Sequence, residues 1–410
     1  MLKRRAGWII VLCAFFSLLP SQIVHASDSQ KSAPLAEWTV LIFLSGNNNL
    51  DSFGKFNLKQ MEQIGSTPQL NVVVQWASLK NDKTQRLLIH QDITHAEVTS
   101  PVVESLSTVD MGDPKSLLDF IRWGVQKYPA KHYAIDVWNH GSGWHASTTP
   151  NTNQQKPFYP YDISWDDKTD HSISTPALAR VLAEAAQIIG HKVDLYGSDA
   201  CLMGMAEIAD EVADFVDIYA GSEEVEAAAG WPYHKILGAL AKHPEMNATA
   251  LGKVITDEFV KFYTGDGPNQ GNATFSAFYL NKMTPLEQAM KSLAQDLVKV
   301  PENSRKSILD ALGNAQRFTY DDYADLTDVL EQLESLPSPH IRKETLLALR
   351  KALSELIIAS GSSASLPKAY GASIWLPTRS STLSLYANRY HELKFDLKTG
   401  WSQALAYLLN

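Results

Sequence analysis

Apolar, β-branched runs alternate along this chain with stretches in which hydrophobic side chains recur every three or four residues. Residues 39–44 (TVLIFL), 71–75 (NVVVQ), 133–138 (YAIDVW), 192–196 (KVDLY) and 216–220 (VDIYA) are short and dense in Val, Ile and aromatic side chains, the composition of strands. Between them, Asp113 is placed to cap a helix that starts at Pro114, groups Leu117, Leu118, Ile121 and Val125 on one side, and stops before Pro129. A second helix is predicted from Pro176 to about Ile189, with Gly190 as its terminator. Strands and helices in alternation predict an α/β fold, a mostly parallel sheet sandwiched by helices, with its site at the carboxyl ends of the strands.

The texture changes beyond residue 282. Leu346, Leu349, Leu353 and Leu356 mark an amphipathic helix, so 283–410 is read as a helix-rich region packed on a main domain spanning 37–282. Residues 371–377 (GASIWLP) read as one more strand, which would tie this region back into the first sheet. The stretch 142–174 is rich in Asn, Thr, Asp and Pro and is expected to lack regular structure.

The first 26 residues read as a secretory signal peptide. Lys3, Arg4 and Arg5 precede an apolar run over 7–19, too short for a bilayer span, and Val24-His25-Ala26 supplies small residues where a signal peptidase cuts. A polar tether over 27–36 follows, and the mature protein is expected outside the cytoplasm or in the periplasm, with no membrane span. The 410-residue chain is 45% hydrophobic and 20% charged, which excludes fibrous and wholly disordered classes. Its net charge of -9, which becomes -12 once the three signal cations go, argues against nucleic acid as a partner and leaves a surface that attracts cationic substrates.

Two segments at strand ends hold the reactive side chains. In YAIDVWNHGSGWH the strand delivers His140 into a turn made by Gly141 and Gly143; in KVDLYGSDACLMGMAEIA it leads to Cys201, which is expected to open a helix. Cys13 lies in the signal segment, so Cys201 is the sole cysteine of the mature chain and has no disulfide partner within it. A thiol at a helix N-terminus would be biased toward thiolate, and both side chains emerge at one sheet edge.

The pairing of NHGSGW with DACLMGMAE, followed by a strand and SEE…GWPY, resembles the clostripain family of cysteine peptidases, within the group with the caspase-like fold. The resemblance extends to WTVLIFLSGNNNL, to MGDPKSLLDFIRWGVQKYPA and, more loosely, to YDDYADL near Tyr320. The His precedes the Cys by 61 residues, and caspase signatures place theirs about 50 apart. The resemblance implies that Cys201 is the nucleophile, that His140 is the general acid/base, and that the backbone N–H groups of Gly141 and Cys201 stabilise the oxyanion. It implies further that Asp199 lies in a pocket for Arg or Lys; capping the helix that carries Cys201 is an alternative role for that residue. Where relatives often have Pro and Gly after SEE-x-E, this chain has Ala227, Ala228 and Ala229; Glu223, Glu224 and Glu226 are candidates for a further acidic residue in the pocket, but most of them are expected on a solvated loop.

Other readings use the same residues. His140, His145 and Cys201 could ligate zinc, although Gly141 and Gly143 oppose the helix that would align the histidines. A secreted binding protein on a decayed peptidase fold is a second class. The chemistry requires no cofactor; calcium is a possibility at acid pairs such as Asp166-Asp167 or Asp321-Asp322, whose spacing does not match an EF-hand. Peptides or proteins with basic residues are the expected partners. If the enzyme cuts after basic residues, Lys156 and Lys168 are the candidate self-cleavage sites within 142–174, and Lys168, in the polar context WDDKTD, is favoured because Pro157 follows Lys156.

Overall fold

The computed structural model describes residue 7 and residues 35–145, 162–265, 271–336 and 340–410. Leu35–Asn410 form one compact unit, separate from Met1–Pro34. The signal and tether segments lie outside the described residues except for Gly7, Leu35 and Ala36, and among the described residues no helix is long and apolar enough to cross a membrane.

Thirteen strands occur among the described residues: β1 Ala36–Gly46, β2 Leu70–Ser78, β3 Lys83–Leu88, β4 Val102–Ser107, β5 Ala130–Trp138, β6 Ile163–Asp166, β7 His171–Ile173, β8 Val193–Asp199, β9 Val216–Gly221, β10 Thr274–Tyr279, β11 Tyr323–Asp325, β12 Ile357–Ser362 and β13 Ser373–Trp375. Nine of them form one sheet in the order β12-β10-β9-β8-β5-β1-β2-β3-β4. Its five central strands, β2, β1, β5, β8 and β9, are parallel, and two antiparallel strands extend each side. These five are the apolar runs legible in the sequence, because strands buried on both faces carry nearly continuous hydrophobic side chains.

Alternate residues of each strand feed opposite faces. Trp38, Val40, Ile42 and Leu44 of β1 pack toward a core shared with Leu58, Ile236, Leu237, Leu251 and Ile255, and Leu41 and Phe43 toward a second core with Leu117, Ile121, Leu178 and Leu182. The helix Pro114–Lys127 begins where Asp113 accepts from the Lys115 N–H at 2.9 Å, and Thr175–Ile189 ends on Gly190 with φ 91°. In Lys343–Leu356, Leu349, Leu353 and Leu356 are buried, each contributing about 1.5–3 kcal/mol of hydrophobic stabilisation.

The strand expected at 371–377 does form, but not in the main sheet. β13 pairs with β11 in a separate two-stranded ribbon, and β12, which follows the Lys343–Leu356 helix, is what joins the C-terminal region to the main sheet beside β10. The short IIASGS run of β12 carries Gly and Ser at the edge of the sheet, so its hydrophobic signal is weak. The stretch 142–174 is also more ordered than its composition suggests, since β6 and β7 form an antiparallel hairpin within it.

Candidate active site

The histidine loop leaves the end of β5 and is locked at once. Asn139 donates to the Ser45 carbonyl at 2.5 Å and accepts from the Trp165 N–H at 2.8 Å. His140 is half-buried, with its Nε2 2.7 Å from Asn49 Oδ1, and burial pushes the imidazole down to about 4, partly opposed by the charge of Asp167. Gly141 is where this loop meets the cysteine. A Cβ built there would stand 2.5 Å from the Cys201 carbonyl oxygen and 3.0 Å from the Ala200 Cβ, so any side chain would drive the two segments apart.

Cys201 sits in a turn just past β8, and the following helix starts only at Ala206, at residues Ala206–Val212. The expected position at a helix N-terminus is therefore wrong, and with it the expected thiolate bias. Burial, reinforced by the charges of Glu224 and Asp199, pushes the thiol up to about 11. The Sγ lies 3.8 Å from the Glu226 carbonyl oxygen. The turn contains Leu202 at φ 63°, a left-handed conformation unfavourable for a branched residue, and its surroundings hold it there. Leu202 N–H donates to the Glu224 carbonyl at 3.1 Å, Gly204 N–H to that of Ser222 at 2.6 Å, and Tyr219 Oη to that of Met203 at 2.5 Å. Among the described residues, neither the Gly141 N–H nor the Cys201 N–H donates to a backbone carbonyl.

Asp199 ends β8 with a buried carboxylate that does not cap a helix. It accepts from the Trp231 N–H at 3.0 Å and Tyr233 Oη at 2.8 Å. Gly230, at φ 63°, brings the turn before Trp231 against it; a Cβ there would lie 2.9 Å from Asp199 Oδ2. Asn57 and Gln60, on the helix Asp51–Glu62, fasten this segment by donating to Ala229 O at 2.8 Å and accepting from Tyr233 N–H at 3.0 Å. Asp136, near the end of β5, accepts from the Asp199 N–H at 3.3 Å and lies 2.5 Å from Tyr233 Oη, whose single proton serves only one of the two carboxyls at a time. Burial pushes Asp199 up to about 6 and Asp136 well above the carboxylate range.

The solvated loop expected for Glu223, Glu224 and Glu226 is buried instead. Glu223 lies beside Asp325 and accepts from the Gly371 N–H at 3.0 Å, and Glu224 accepts from Thr319 Oγ1 at 2.5 Å. Glu226 lies against the Asp199 carboxyl. The three acids serve contacts with residues 90 or more positions later in the chain or with the buried end of β8, partners invisible to local composition.

The β11–β13 ribbon clamps both reactive segments from the C-terminal side. Tyr323 Oη donates to the Ser142 carbonyl at 2.8 Å and fills the space over Gly143, whose φ is 74°. Ser373 N–H donates to the Gly204 carbonyl at 2.9 Å, and Trp375 N–H to the buried carboxylate of Glu207 at 2.8 Å. His145 is buried in this clamp with its Nε2 3.0 Å from Asp322, which also accepts from the Trp375 indole at 2.9 Å. Its ring stacks on Tyr386. Among the described residues no group of three or more His, Cys, Asp and Glu side chains is arranged to hold a metal ion, so the zinc arrangement of His140, His145 and Cys201 is not formed.

Comparison with known proteins gives this geometry a family. A model of the clostripain family matches residues 42–407, nearly the whole compact unit. The chain belongs to the clostripain family. It is 24% identical over 241 residues to clostripain from Hathewaya histolytica, a match covering 52% of this chain and 44% of that protein, so the chain spans less than half the length of this relative. Two solved structures share its fold: a secreted C11 cysteine protease from Bacteroides thetaiotaomicron with an irreversible peptide inhibitor, at 16% identity and TM-score 0.67, covering 90% of this chain and 100% of that one; and an inactive zymogen C11 protease from Parabacteroides distasonis, at 20% identity and TM-score 0.65, covering 89% and 99%. The fold class is thus the caspase-like arrangement that the motifs implied.

Against this clostripain-family frame, the structure draws the His140 loop, the Cys201 turn and Asp199 together. Asn49, Asp136 and Tyr233 escaped sequence reasoning as site residues. The one signal available was Asp136, an acid inside an otherwise apolar strand. Lys168 occupies the turn between β6 and β7, where its N–H donates to Asp166 at 2.8 Å and its ammonium to the Ser78 and Asn81 carbonyls at 3.1 and 3.2 Å. The open context expected of it is replaced by a closed turn. Lys156 lies outside the described residues. Asp166 accepts from Asn47 and the Met111 N–H, Asp167 from the Trp165 indole, and Asp321 pairs with Arg379, so protein donors engage these carboxylates.

Proposed function

We propose that this chain is a secreted or periplasmic cysteine endopeptidase that cleaves after Arg or Lys. The observation that carries the proposal is the contact at Gly141, which lays the His140 loop on the Cys201 carbonyl. The Cys201 sulfur, giving its proton to His140, would attack the scissile carbonyl carbon. The N–H groups of Gly141 and Cys201 would hold the oxyanion, and loss of one such donor costs about 2.7–4 kcal/mol. His140 would then protonate the departing amine, leaving an acyl-thioester that water hydrolyses. Asp199 would receive the substrate cation. Peptides or proteins with basic residues would be its substrates, with no nucleic acid as partner.

Purified mature protein is assayed on peptide substrates carrying Arg, Lys or neutral citrulline before the scissile bond. Cys201→Ala and His140→Ala each abolish turnover while keeping the wild-type circular dichroism spectrum, and Asp199→Asn erodes the preference for cations by roughly 30- to 3,000-fold. Substantial turnover by folded Cys201→Ala would refute the mechanism. The raised thiol favours one rival, a non-catalytic binding protein on the same fold, which predicts no turnover by the wild type under any condition.

Self-processing is proposed at Lys156 or Lys168. The ties on Lys168 mean that its hairpin would have to open before the peptide could extend into a protease cleft. New N-termini in wild type but not in Cys201→Ala identify the cut. The chemistry needs no cofactor, and calcium as a modulator is tested by activity with and without a chelator.

A further inference from the structure

We infer that Asn49 is a positioning residue for His140: its side-chain oxygen keeps the imidazole proton on Nε2 and so makes Nδ1 the nitrogen that takes the thiol proton. This deepens the proposed peptidase mechanism, on which it rests, at a residue to which the motifs assign no role. The contact that carries it is His140 Nε2 at 2.7 Å from Asn49 Oδ1. An amide oxygen only accepts, so Nε2 holds the hydrogen, and a neutral imidazole then has its lone pair on Nδ1.

The chain builds this contact from three consecutive asparagines in the loop between β1 and the helix Asp51–Glu62. Asn47 and Asn48 are buried and spend their amides on β6: Asn47 donates to the Asp166 carboxylate at 2.8 Å, and Asn48 to the Trp165 carbonyl at 2.9 Å. Asn48 Oδ1 also accepts from the Leu50 N–H at 2.9 Å, and the Asn48 carbonyl from the Asp51 N–H at 3.1 Å. The main chain on both sides of Asn49 is therefore pinned, while its side chain is exposed and can be truncated without opening the core. The histidine loop is tied to the same segments one residue earlier, because Asn139 donates to the Ser45 carbonyl and accepts from the Trp165 N–H. Two loops fastened to each other and to one strand meet at Asn49 and His140, which is how a hydrogen bond near the surface keeps a fixed direction.

A neutral acceptor suits the proposed step. As Cys201 Sγ bonds to the scissile carbonyl carbon, its proton passes to Nδ1, and the imidazolium keeps its Nε2–H on Asn49; the proton on Nδ1 then goes to the departing amine as the carbon–nitrogen bond breaks. In the imidazolium Nε2–H is a charged donor, whose bonds are roughly twice as strong as neutral ones, so Asn49 favours the transition state over the resting state. A carboxylate in its place would instead stabilise a charged imidazole at rest. In the wild-type site the charge that acts on His140 is that of Asp167.

The test compares Asn49→Ala and Asn49→Asp with wild type, by kinetics on a peptide carrying Arg before the scissile bond and by nitrogen NMR of His140 in the Cys201→Ala background. Asn49→Ala is expected to lower kcat by about 10- to 100-fold with KM within about threefold, and to replace distinct protonated-Nε2 and unprotonated-Nδ1 signals by signals averaged between tautomers. Asn49→Asp keeps an accepting oxygen, so kcat is expected to return to within about tenfold of wild type, while the acid limb of kcat/KM moves up by about one pH unit or more. A merely structural role for Asn49 would move neither the tautomer nor the limb. Wild-type kcat in Asn49→Ala, or a His140 proton found on Nδ1 in the protein that retains Asn49, overturns the assignment. If wild type turns over no peptide, the peptidase reading falls, and the spectra still decide whether Asn49 holds the proton.

Discussion

The protonation states of the proposed His140–Cys201 dyad make a prediction that separates this protein from thiol enzymes resting as an ion pair. The thiol is pushed up to about 11 and the imidazole down to about 4, so at pH 7 both are neutral. A thiol at about 11 is ionised to about one part in 10⁴ at pH 7, whereas an ordinary cysteine at about 8.5 is ionised to about 3%, a deficit near 300-fold. Moving the proton from sulfur to imidazole in the empty site spans about seven pKa units, or roughly 9 kcal/mol. Substrate binding must supply most of that, by bringing a developing oxyanion beside the imidazolium and by neutralising Glu224 and Asp199, whose charges raise the thiol. The perturbation is pH, and the assay is the iodoacetamide alkylation rate of Cys201 in the free protein. The rate should climb about tenfold per unit from pH 7 to beyond 9, with no plateau, and lie about 100- to 1,000-fold below that of a free thiol at pH 7. Because a neutral histidine does not stabilise thiolate, His140→Ala should change this rate by less than about threefold while abolishing turnover. A plateau between pH 6 and 8, or a large drop in alkylation on removing His140, would show a resting ion pair and refute the reasoning.

Two further outcomes follow from contacts away from the thiol. Tyr323→Phe removes only the hydroxyl that holds the Ser142 carbonyl in the histidine loop, so kcat should fall by about 10- to 100-fold with KM within about threefold, measured on arginyl substrates; equal loss in both would mean that the clamp is merely structural. Buried Glu207, pushed up to about 7, and Asp210, pushed up to about 8, hold protons in the folded state that the unfolded chain releases near pH 4. The unfolded state then binds fewer protons, so stability falls by about 2 kcal/mol between pH 6.5 and 8; thermal unfolding across that range checks it, and a rising midpoint would contradict it.

The sequence by itself determined the central architecture and put the candidate pair, His140 and Cys201, just past two of its strands. Strands buried on both faces must be apolar along their length, so the runs at β1, β2, β5, β8 and β9 announced a parallel core, and the Asp113 cap and Gly190 stop bounded two of its helices. Cys201 and His140, each just past such a run, come to neighbouring loops because parallel strands open at a common edge. The edge strands β12 and β4 stayed hidden because they are half-exposed and mixed in composition, and β11 because it is only three residues long. Only the tertiary structure decided the electrostatics. The turn after β8 delays the helix to Ala206 and strips Cys201 of its dipole, and packing from segments 25 to 148 residues away buries Glu223, Glu224 and Glu226. Charge state depends on what surrounds a group in three dimensions, and local sequence carries little of that information. The same sequence that located Cys201 and His140 therefore left their proton balance to the fold.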